Sequence, residues 1–111
     1  MPTYISLLNW TDQGIKTVKD SPKRLDAAKK SLKELGAELK TFYMTQGSYD
    51  AALILEAPND EVLAKFLLRI GSAGNVRTTT LRAYPEDEYG RSSRRFPDRS
   101  PAKATTGARW H

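Results

Sequence analysis

Residues 51–55 form an unbroken run of five apolar residues, Ala-Ala-Leu-Ile-Leu, held between Tyr49-Asp50 and Glu56-Ala57-Pro58. The run is too short for a helix. With the turn signal Gly47-Ser48 before it and a proline after it, it reads as a β-strand over residues 49–57. Successive side chains of a strand point to opposite faces, so Leu53 and Leu55 lie on one side and Ala52 and Ile54 on the other. A strand apolar on both faces requires cover on both. Asp50 then poses a physical problem, because a carboxylate beside a buried run costs free energy unless it is solvated or bonded. Asp50 is therefore expected at a wet end of the fold, or against a partner.

The rest of the chain supplies the neighbours. Residues 2–10 (PTYISLLNW) set Tyr4 and Leu8 against Ile5 and Leu7, the pattern of a central strand. Thr11 is placed to cap a short helical turn holding Ile15 and Val18, with Asp12 near its positive end. Ser21 as cap, Pro22 in the first turn and Gly36 as stop delimit a helix with Leu25, Ala28, Leu32 and Leu35 as its buried stripe. Lys23, Lys29, Lys30 and Lys33 form its solvent face. Residues 37–46 make a second strand, with Phe42 and Met44 opposing Leu39 and Tyr43, and Gly47-Ser48 makes a tight reversal into the third. Asn59 or Asp60 caps a second helix, whose stripe is Val62, Leu63, Phe66, Leu67 and Ile70 and which ends at Gly71 to Gly74. Residues 75–84 are a Thr-rich fourth strand, and Pro85 starts a short turn that includes Tyr89.

The element order is βαββαβ. Right-handed crossovers turn it into a ferredoxin-like α+β fold, a four-stranded antiparallel sheet of order 4-1-3-2 with both helices on one face. The other face would stay bare although strands on it carry apolar groups, and monomers rarely keep such a patch. The expectation is a homodimer or higher homo-oligomer packed sheet to sheet, of the dimeric α/β barrel type.

Charge divides the chain. Residues 1–90 carry 12 basic and 12 acidic residues, whereas residues 91–111 carry six basic residues against Asp98 alone, which accounts for the net +5. By charge the folded part is not a nucleic-acid-binding domain. The domain division expected is a folded unit over residues 1–90 and a basic, mostly disordered tail over 91–111, rich in Ser, Pro, Gly and Arg. There are no cysteines, and the one histidine is His111. Disulfides, thiolate chemistry, a catalytic triad and a His-based metal centre are thereby excluded. No cofactor and no metal are expected. A metal site from Asp12, Asp50 and Glu56 is disfavoured because the topology separates Glu56 from the other two. Mean hydropathy is −0.59, no apolar run reaches the ~20 residues of a membrane span, and the N-terminus lacks the features of a signal peptide. The expectation is a cytoplasmic protein without membrane association.

The antiparallel pairing brings Tyr49 and Asp50 beside Trp10, and it brings Asn75 and Arg77 to the same end of the sheet. Trp10, Asp12, Tyr49, Asp50, Asn75 and Arg77 are therefore the candidate ligand-binding residues. The plainer alternative has Gly47 serving the hairpin, Tyr49 filling core space, and Asp50 capping backbone amides or pairing with Arg77. At the other end Glu56 approaches Arg82 or Thr80, the register leaving the pair open.

Several segments in order, Thr11-Asp12-Gln13-Gly14, Ser21-Pro22-Lys23-Arg24, Gly47-Ser48-Tyr49-Asp50, Glu56-Ala57-Pro58-Asn59-Asp60 and Gly74-Asn75-Val76-Arg77-Thr78, resemble the GYD domain family. These are small bacterial and archaeal proteins. The resemblance covers about residues 1–89 and implies a fold similar to the dimeric α/β barrel group, with its small monooxygenases, haem-degrading enzymes and muconolactone isomerase-like proteins. It implies no established activity.

Three functional readings follow. The first is an oligomeric module that binds a small ligand or a protein. The second is a cofactor-independent enzyme, monooxygenase- or isomerase-like, in which Asp50, Asp12, Glu56 or Tyr49 acts as acid or base and Arg77 or Arg82 stabilises an oxyanion. No constellation of nucleophile and base is legible, and the catalytic residues stay unknown. The third rests on the tail, where Arg94, Arg95, Phe96, Arg109 and Trp110 interleave cations with aromatics suited to nucleic acid or an acidic partner. Its alternative is an extension that only solubilises.

Overall fold

The computed structural model describes residues 1–95 of the 111-residue chain. Strands β1 (Thr3–Trp10), β2 (Glu38–Met44), β3 (Ala51–Glu56) and β4 (Val76–Ala83) form one antiparallel sheet in the order β2-β3-β1-β4. This is the expected order, with the two most apolar strands at the centre. Helix α1 (Asp12–Lys16) and a 3₁₀ turn (Val18–Asp20) follow β1, and α2 (Ser21–Glu34) crosses over to β2. Helix α3 (Asp60–Ser72) connects β3 to β4, and α4 (Glu86–Arg95) ends the described chain.

Pairing register decides which residues share a face. Tyr4 stands opposite Leu55, Ser6 opposite Leu53 and Leu8 opposite Ala51, and all six point toward α2 and α3. Tyr4, Leu53, Leu55 and Ala51 meet Leu32 of α2 and Leu63 and Phe66 of α3 in the buried core. Burying one such side chain contributes about 1.5–3 kcal/mol, so these few residues dominate the stability of a domain this small. Ser6 is a buried polar residue in this layer, and its hydroxyl meets Thr80 Oγ1 of β4 at 2.9 Å. That bond satisfies a group that would otherwise be costly to bury.

Strand β2 departs from simple alternation. A bulge at Lys40 inserts one residue between Leu39 and Thr41, so Leu39 pairs with Leu55 while Phe42 pairs with Leu53 and Met44 with Ala51. Leu39, Phe42 and Met44 thus share the helix-side face, and of these four apolar residues only Tyr43 points the other way. The expected opposition of Leu39 to Phe42 and Met44 is corrected by this bulge, which flips the side-chain parity of everything beyond it.

Helix starts follow capping chemistry, with one difference. Thr11 accepts from the Gly14 N–H and Asn59 accepts from the Val62 N–H, as capping predicts. Ser21, however, is already helical and makes no cap, and Asp20 holds the cap position without a side-chain bond. The 3₁₀ turn feeds straight into α2, so the first helical carbonyls come from the turn itself. Of the expected stripe of α2 only Leu32 is fully buried, while Leu25, Ala28 and Leu35 remain half-buried. Ile15 and Val18 are exposed.

At the far end of the sheet, Tyr4 donates its hydroxyl proton to Asp60 Oδ1 at the start of α3. Burial, followed by this bond, holds the Tyr4 phenol above its ordinary range. Arg82 lies over the Tyr84 ring at 4.3 Å and the Tyr4 ring at 5.6 Å from their centres, and reaches Glu88 of α4 at 3.9 Å. Arg82 pairs in register with Tyr4, on the helix side, whereas Glu56 pairs with Thr3 on the opposite face. The expected approach of Glu56 to Arg82 is therefore not made. Helix α4 runs on through Arg95, past the point at which the sequence turns basic. Three acidic residues in its first turn favour the helix dipole, and Arg91 reaches Asp87 at 3.4 Å across one turn.

Candidate functional site

The strand-one exit is assembled by backbone and side-chain hydrogen bonds among three chain segments, residues 8–13, 48–50 and 73–75. The Asp50 N–H donates to the Leu8 carbonyl at 2.8 Å, and Asp50 Oδ2 accepts from the Trp10 N–H at 2.9 Å. The Asn9 amide donates to the Ser48 carbonyl at 2.9 Å. From the other side of β1, the Thr11 N–H donates to the Asn75 carbonyl at 3.1 Å and the Thr11 hydroxyl to the Gly74 carbonyl at 2.6 Å. Gly74 turns the chain from α3 into β4 with φ +84°, a conformation that L side chains rarely adopt. Gln13 Nε2 closes the turn by donating to the Ala73 carbonyl at 3.0 Å and to Asn75 Oδ1 at 2.9 Å.

Asp50 thus does what the last residue before a strand can do when its side chain folds back. It continues the β1 ladder by one more acceptor, at a position where the neighbouring strand has not yet begun. β3 starts at Ala51 rather than residue 49, so Tyr49 and Asp50 belong to the connection. The reversal is longer than a two-residue turn. Thr45 spans it, donating its N–H to the Asp50 carbonyl at 2.9 Å and its hydroxyl to the Tyr49 carbonyl at 2.6 Å.

Two concavities open at this end. A cavity of about 450 Å³ lies between the sheet and helices α2 and α3, with Trp10, Asp50 and Asn75 among its lining residues. Its walls are otherwise mostly apolar, including Leu8, Leu25, Phe42, Leu53 and Phe66. A second, polar cleft is lined by Trp10, Thr11, Asp12, Gln13, Gly74 and Arg77. The structure therefore divides the six candidates. Trp10, Asp50 and Asn75 share the large cavity, Asp12 and Arg77 share the polar cleft with Trp10, and Tyr49 lines neither. Arg77 pairs with Asn9 across the sheet, on the face away from α2 and α3. It makes no ion pair with Asp50 or any other described residue. Of the tail candidates, Arg94 is exposed on α4 and Arg95 ends that helix. Phe96, Arg109 and Trp110 lie outside the described residues.

Sequence reasoning missed Arg24. This residue leaves the lysine face of α2 and lines the large cavity. Its Nη1 donates to the Thr17 carbonyl and hydroxyl at 3.0 and 3.1 Å, and its Nη2 to the Gly14 carbonyl at 3.1 Å. Its spacing offered a signal, because Arg24 precedes Ala28 by four residues and so flanks the apolar stripe of α2. Arg69 of α3 also lines the cavity, held by Ser31 at 2.6 Å and Glu34 at 3.8 Å.

The bond from the Trp10 N–H yields a direct expectation. Asp50→Ala leaves that amide without its acceptor and should cost about 1–3 kcal/mol, read as a lower melting temperature. Asp50→Asn keeps an acceptor oxygen in the same place and should retain most of the stability. Thermal denaturation of both variants checks the order.

A two-layer α+β domain with a bare sheet face and a cavity beneath its helices is the class that this geometry defines. The GYD domain family matches residues 4–92, and the chain belongs to that family. A Thermus thermophilus protein named glutamine synthetase and cystathionine beta-lyase binding protein is 34% identical over 86 residues, which span 77% of this chain and 90% of its own. A crystal structure of a protein from Thermus thermophilus is similar with a TM-score of 0.48 at 24% identity, over 78% of this chain and all of that one. Among the described residues no helix is long and apolar enough to cross a membrane.

Proposed function

We propose that this chain is a self-associating interaction module of the cytoplasm, in which two copies pack sheet to sheet and the assembly docks on a metabolic enzyme. The observation that carries the reading is the composition of the sheet face turned away from α2 and α3. Ile5 pairs with Ile54 and with Leu81, and Leu7 with Ala52, so an apolar band crosses three strands without interruption. Tyr43 of β2 flanks the band at 62% exposed, and Leu81 ends it on β4 at 50% exposed. Charged groups keep to the ends of the strands, with Glu38 opposite Glu56 at one end and Arg77 at the other. A flat apolar centre with a polar rim suits a self-complementary contact between identical surfaces. The docking half of the proposal draws on the relative from Thermus thermophilus, whose name describes binding to two enzymes.

An enzyme reading finds less support in the large cavity. Its lining holds one carboxylate, Asp50, already bonded to a backbone amide, and two serines, Ser21 and Ser31, with no base against either.

Light scattering at micromolar concentration should give at least twice the 12.4 kDa of one chain. Ile54→Glu places a charge in the centre of the band and should shift the mass to that of a single chain while circular dichroism stays native. A wild-type mass of 12.4 kDa sinks the self-association. Co-elution with purified glutamine synthetase or cystathionine beta-lyase from the same organism tests the docking. Separate elution from both at tens of micromolar rejects those partners.

A further inference from the structure

We infer that the cavity between the sheet and helices α2 and α3 is a binding site for a free α-amino acid with an apolar side chain. Three charged residues line this mostly apolar cavity. Arg69 is already answered by Ser31 and Glu34, whereas Asp50 and Arg24 carry opposite charges without answering each other. Asp50 spends Oδ2 on the Trp10 N–H, and Oδ1 makes no hydrogen bond among the described residues. Arg24 is held entirely by neutral acceptors, the Thr17 carbonyl and hydroxyl and the Gly14 carbonyl, which leaves its Nε–H and one Nη2–H unused. Neither residue forms an ion pair among the described residues. Both side chains are nevertheless fixed in position by these bonds, so a ligand meets charges that need not be ordered first.

Charge complementarity selects the ligand class. A simple organic anion would find Arg24 but meet repulsion from Asp50, and a simple amine would meet the reverse. A zwitterion satisfies both, its ammonium against Asp50 and its carboxylate against the free edge of Arg24. The remainder of the ligand is apolar, because Leu8, Leu25, Phe42, Leu53, Phe66 and other apolar residues make up most of the lining and offer it no hydrogen bonds. Asn75 also lines the cavity, but its Oδ1 is already engaged by Gln13. The volume of about 450 Å³ accommodates a side chain as large as that of phenylalanine. This site is separate from the sheet face invoked for self-association, so either reading can fail alone.

The test is calorimetric titration of the full chain with L-phenylalanine, L-leucine and L-methionine, and with two truncated probes. These are 3-phenylpropanoate, which lacks the ammonium, and 2-phenylethylamine, which lacks the carboxylate. Saturable binding of at least one amino acid is expected, with each truncated probe at least tenfold weaker than L-phenylalanine. Asp50→Asn should narrow the preference for L-phenylalanine over 3-phenylpropanoate, since it removes the charge that repels the anion. Ala28→Phe fills the cavity from α2 while leaving both charged residues in the chain, and should abolish binding in a protein that still melts cooperatively. The inference is overturned by an absence of saturable heat with all three amino acids. It is overturned equally if a truncated probe binds as tightly as L-phenylalanine, or if folded Ala28→Phe binds with unchanged affinity.

Discussion

Replacing Gly14 by alanine should destabilise the domain by about 3 kcal/mol, at the upper end of the overpacking range. A Cβ on Gly14 would stand 1.9 Å from the Asn75 carbonyl oxygen and 2.8 Å from its carbon. Both are backbone atoms, and that oxygen accepts from the Thr11 N–H, so no side chain can swing away to make room. Either α1 lifts or β4 recedes. Lifting α1 also moves the Gly14 carbonyl, which holds Arg24 at the rim of the cavity. For a domain of this size each kcal/mol lowers the melting temperature by about 4–8 °C, so a fall of about 12–24 °C is expected. A melting temperature within a few degrees of wild type would show that the contact between α1 and the start of β4 is looser than described.

Phe66→Ala should cost about 3–5 kcal/mol, the range for removing a buried aromatic ring. Phe66 is 1% exposed and stands between the core and the large cavity, so truncating it merges a new void with an existing one. Surrounding side chains cannot collapse into a space already open on one side. Leu68, two residues further along α3, is 73% exposed. Leu68→Ala should change stability by no more than about 0.5 kcal/mol. Equilibrium urea unfolding of the two variants measures the contrast directly. Equal losses would mean that α3 presents a different face to the sheet.

The fold was legible in the sequence because the signals that specify it are local. The apolar run at residues 51–55 demands cover on both faces, and Asn59 and Thr11 cap the helices that they precede. Strand order then follows from general rules of handedness, without reference to distant contacts. The bulge at Lys40 escaped the sequence because nothing in a run such as Leu-Lys-Thr-Phe marks where an extra residue enters the ladder. Pairing with β3 alone decides it. For the site, topology correctly brought Asp50 to Trp10 and Asn75 to the same end. It could not separate Asp12 and Arg77 from the cavity, because strand order fixes the end of the sheet that a residue reaches and not the concavity that it lines. Arg24 and Gly14 show the same division more sharply. A guanidinium on a lysine-rich helix and a glycine in a short turn are ordinary in one dimension. Each acquires its role from a neighbour in space, the Gly14 carbonyl for Arg24 and the Asn75 backbone for Gly14, and that proximity exists only once the chain has folded.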